Sequence, residues 1–78
     1  MNLALYNKSE VLHEALVARF EAQRTEALAT LQVYYNDSAG IGEHPQVVEE
    51  MAKQAEKLAA AEDALGCLQR NFTTDSSS

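Results

Sequence analysis

The sequence predicts an all-α fold, a two-helix antiparallel hairpin that dimerises into a four-helix bundle. Three observations lead there. Met51, Leu58, Leu65 and Phe72 recur seven apart, with Val47, Ala61 and Leu68 between them and polar Gln54 as the one interruption. A seam of period 3.5 needs a partner helix to cover it. A second apolar pattern of helical spacing fills the N-terminal half, and a Gly-containing stretch separates the two.

The first pattern reads as a helix over about residues 3–35. Its main stripe is Leu5, Ser9, Leu12, Leu16, Phe20, Gln23, Ala27, Leu31 and Tyr34, close to the 3.6 period of a straight helix. A second row, Tyr6, Val17, Leu28 and Tyr35, is broken by Arg24. Together the rows cover a sector of roughly 160°, wider than one antiparallel partner covers. Val17, Leu28, Tyr34 and Tyr35 are therefore the expected contacts with a second subunit, since aromatic side chains are enriched at such surfaces. The start is ambiguous: Asn2 and Asn7 can each act as the cap, and Glu10 completes a capping box with Asn7.

Residues 36–44 form the expected turn. Asn36, Asp37, Ser38, Gly40 and Gly42 are turn formers, and the glycines accept positive φ. Pro45 suits the first turn of a new helix and pushes His44 out of helical geometry into the cap position. The second helix is expected over about residues 45–71, near 40 Å long at 1.5 Å per residue. Six alanines (Ala52, Ala55, Ala59, Ala60, Ala61 and Ala64) favour it. Gly66 costs about 1 kcal/mol there relative to Ala, and marks either a weak point or a close crossing by another helix. The hairpin domain thus covers residues 1–72, and 73–78 are a polar tail with nothing to bury.

Composition narrows the function. Twelve acids against six scattered bases give a net charge of −6 and leave no basic stripe for nucleic acid. No apolar run approaches the roughly 18 residues of a membrane span, and no secretion signal opens the chain. The single Cys67 excludes an internal disulfide and fits a reducing, cytoplasmic setting. A chain of 78 residues buries a modest core, so a second copy is the expected source of further burial.

No constellation points to catalysis, and no cofactor is expected. Gly40-Ile41-Gly42 lacks the spacing of a phosphate loop, and His13 is the only histidine near the level of Cys67. Glu10-Val11-Leu12-His13 matches the Glu-x-x-His pair that helical bundles use for metals, with both side chains on one face. Its expected opposite neighbours, residues 67–70, contain no acid to complete a site. The reading is a non-enzymatic interaction or regulatory protein working through protein–protein contacts. The alternative is a metal-binding hairpin that joins Glu10 and His13 across a dimer.

Residues 26–35, Glu-Ala-Leu-Ala-Thr-Leu-Gln-Val-Tyr-Tyr, and then Gly40-Ile41-Gly42-Glu43-His44-Pro45 look like segments of small uncharacterised helical proteins encoded by marine phages of cyanobacteria and their environmental relatives. The resemblance implies a phage or host-associated origin and an unassigned function, with the host-cell cytoplasm as the place of action if the chain is viral. It carries no catalytic motif and transfers no site residue.

Overall fold

The fold was taken from a computed structural model that describes residues 8–37 and 45–72. Two helices account for them, α1 (Lys8–Asn36) and α2 (Pro45–Phe72), and they pack against each other. The expected start of the first helix, the caps at Asn2, Asn7 and His44, the glycine turn and the polar tail lie outside the described residues. Pro45 is the first residue of α2, where its fixed φ suits a helix start and its missing N–H breaks no helical bond. Asp37 N–H donates to the Val33 carbonyl at 3.0 Å, so the helical bonding pattern continues one residue past α1.

The helices run antiparallel. Leu12 and Leu16, near the start of α1, share a groove with Leu68 and Phe72 at the end of α2. In mid-hairpin, Gln23 Nε2 donates to the Lys57 carbonyl at 3.2 Å, and Arg24 Nε lies 3.3 Å from Glu62 Oε2. Gln23 and Arg24 are 100° apart around α1, so these two links fasten opposite sides of the packing seam.

On α2 the seam is the heptad run itself. Val47, Met51, Gln54, Leu58, Leu65 and Leu68 are half-buried and Ala61 is fully buried. On α1 the seam runs through His13, Val17, Phe20, Gln23, Ala27, Leu31 and Tyr34, with steps of three and four that keep a 3.5 period. Ala27 and Ala61 are the most deeply buried residues, and the small methyl groups let the two backbones come close. Leu31 is the only large side chain among the described residues with less than a tenth of its surface exposed.

The sequence stripe and the observed seam part company toward the open end of the hairpin. They share Phe20, Gln23, Ala27, Leu31 and Tyr34, but Leu12 and Leu16 are 67% and 41% exposed. A 3.6-period stripe drifts by about 20° per heptad against a 3.5-period seam. Traced from Leu31 back over more than two heptads, it runs off the partner helix, and His13 and Val17 take the covered places. Gly66 also settles simply. A Cβ built on it meets only the Arg70 guanidinium of its own helix, at 3.1 Å, so α1 makes no close crossing there.

Candidate interaction surface

Two helices packed along one seam leave several large apolar side chains in water. Among the described residues, large apolar side chains are exposed at Val11, Leu12, Leu16, Val33, Tyr35, Val48 and Phe72. Scattered apolar residues are ordinary on protein surfaces, and a contiguous patch is what carries meaning.

One such patch spans both helices. At the open end, a groove of about 450 Å3 is lined by Leu12, Leu16, Leu68 and Phe72, with Ser9, Glu10 and His13 around them. Leu12 and Leu16 stand one turn apart on α1, as Leu68 and Phe72 do on α2, so each helix presents a two-residue apolar ridge. Phe72 is 61% exposed. Toward the bend the same side turns polar, because seven residues on from Leu16 comes Gln23. A shallow trough there is lined by Gln23, Glu50, Lys53, Gln54, Glu56, Lys57 and Ala60. Lys53 Nζ lies 3.6 Å from Glu50 Oε2 within it.

The other side of the seam is interrupted in the middle by the Arg24–Glu62 pair, whose side chains are 44% and 53% exposed. Of the residues expected from the sequence to meet a second subunit, Val17, Leu28 and Tyr34 are half-buried within the one hairpin. Tyr35 keeps 68% of its surface exposed, next to the bend. The open-end groove was not anticipated from the sequence. Its signal is present in the two i, i+4 pairs, Leu12/Leu16 and Leu68/Phe72, once the period mismatch between the helices is recognised.

Glu10 and His13 share the groove, and the α2 residues that line it with them are Leu68 and Phe72, neither a metal ligand. Among the described residues no three His, Cys, Asp or Glu side chains gather as a metal site would require. Cys67 is exposed and does not line the groove that holds His13. Its carbonyl accepts a 2.8 Å hydrogen bond from Asn71 Nδ2, which also lies 3.6 Å from the sulfur. Neither described helix is long and apolar enough to cross a membrane.

No family model matches the chain, and searches of curated proteins and of solved structures return no match.

Proposed function

We propose that this chain is a small non-enzymatic helical protein that acts through protein–protein contacts and self-associates, two hairpins together forming a four-helix assembly. The observation that carries this reading is the open apolar groove, whose Leu12 and Phe72 are the most exposed large apolar residues at that end of the hairpin. Two helices packed along one seam bury few large side chains, and a domain of this size is commonly completed by a second copy. Tyr35, Val33 and Val48, exposed toward the bend, supply further apolar contact area for a partner protein. The lone, exposed Cys67 suits a reducing compartment, which favours the cytoplasm as the place of action.

Sedimentation velocity on the purified chain across a hundredfold concentration range tests the reading. A concentration-dependent shift from one copy to a discrete assembly of defined stoichiometry is the expected result. A single compact copy at every concentration would count against it.

A further inference from the structure

We propose that the open-end groove is the seat of a second copy of this chain, and that the two hairpins overlap through their open-end halves only. The inference rests on the self-association reading above and adds the half of the hairpin through which the two copies meet.

Three features of the surface select this arrangement over pairing along the full length. The first is where apolar surface is continuous. On the groove side, a partner lying along the whole hairpin would have to dehydrate Gln23, Lys57 and the Lys53–Glu50 pair. Stripping water from those charges opposes pairing along that stretch. On the opposite side it would lie across the half-exposed Arg24–Glu62 pair. At the open end both helices present apolar side chains to one groove, from Leu12, Leu16, Leu68 and Phe72.

The second feature is charge. The open-end segments, residues 8–20 and 62–72, carry three bases (Lys8, Arg19, Arg70) against four acids (Glu10, Glu14, Glu62, Asp63). The bend-end segments, residues 21–37 and 45–61, carry three bases (Arg24, Lys53, Lys57) against six acids (Glu21, Glu26, Asp37, Glu49, Glu50, Glu56). Overlap of the nearly neutral halves about a two-fold axis sends the acidic halves to opposite ends of the assembly. Full-length pairing would hold them closer together, where like charges oppose association.

The third feature is shape. An isologous contact uses the same patch on both copies, so the patch must offer both a knob and a recess. Phe72, 61% exposed at the groove's edge, is the knob, and the roughly 450 Å3 groove of the other copy is the recess.

The test uses the full-length chain. Leu12 is 67% exposed, so Leu12→Asp should leave helix content unchanged by circular dichroism while weakening self-association at least about a hundredfold in sedimentation equilibrium. In parallel, with Cys67→Ser throughout, Leu12→Cys should be captured as a covalent dimer by a short bis-maleimide. Val33→Cys, 65% exposed toward the bend, should not. A dimer that survives Leu12→Asp, or that is captured at Val33→Cys and not at Leu12→Cys, overturns this seat while leaving self-association standing. A wild-type chain that stays a single copy, its groove covered by its own residues 1–7 or left open, overturns both.

Discussion

Leu31→Ala is the sharpest perturbation of the hairpin's own stability. Leu31 is 8% exposed and is the only large side chain among the described residues so deeply placed, flanked on the seam by fully buried Ala27. The substitution removes three carbon atoms, about 2.4 kcal/mol of transfer free energy at about 0.8 kcal/mol each. A residual cavity adds to this, although a two-helix layer can collapse partway, so the expected loss is about 2.5–3.5 kcal/mol, in the lower part of the usual 2–5 kcal/mol range. A single core of this size rarely supplies more than about 3–5 kcal/mol. The variant should therefore sit near or beyond its unfolding midpoint at room temperature in the absence of association. Urea titration followed by circular dichroism, at fixed protein concentration, measures the change. Val33→Ala, at a position 65% exposed, is the control and should shift stability by no more than about 0.5 kcal/mol. A loss below about 1 kcal/mol for Leu31→Ala would mean that this seam is not what holds the helices together.

Two further substitutions probe the remaining links. Gly66→Ala should raise the thermal midpoint, because it removes a helix-weakening glycine worth up to about 1 kcal/mol and meets only the movable end of Arg70; a lowered midpoint would reveal a close approach by another helix. A double-mutant cycle on Arg24→Ala and Glu62→Ala should give a coupling of about 0.2–1 kcal/mol that falls with added salt, as for other half-exposed ion pairs.

How legible this fold is in the sequence differs between the two helices, and the difference has a physical origin. On α2 the large apolar residues fall in one narrow file, Val47 to Phe72, with exposed Val48 as the exception, so periodicity alone identifies the buried face. Pro45 marks its beginning as plainly. On α1 apolar side chains lie on several faces, including exposed Val11, Leu12, Leu16, Val33 and Tyr35. Any stripe drawn through them is then a choice among neighbours separated by a fraction of a turn. The helix exists under every choice, but the residues facing α2 depend on whether the period is 3.5 or 3.6. That small mismatch moved Leu12 and Leu16 out of the seam and opened the groove. The excess of apolar surface on α1 was readable; its collection at one end, beside Leu68 and Phe72, required the register between the helices.

One hairpin leaves so much apolar surface uncovered that a second copy should stabilise it. Thermal unfolding measured from low to high micromolar concentration tests this directly, since a partner that binds only the folded chain raises the midpoint with concentration. The midpoint should climb steadily over that range for the wild type and stay flat for Leu12→Asp. A wild-type midpoint independent of concentration would contradict stabilisation by a second copy.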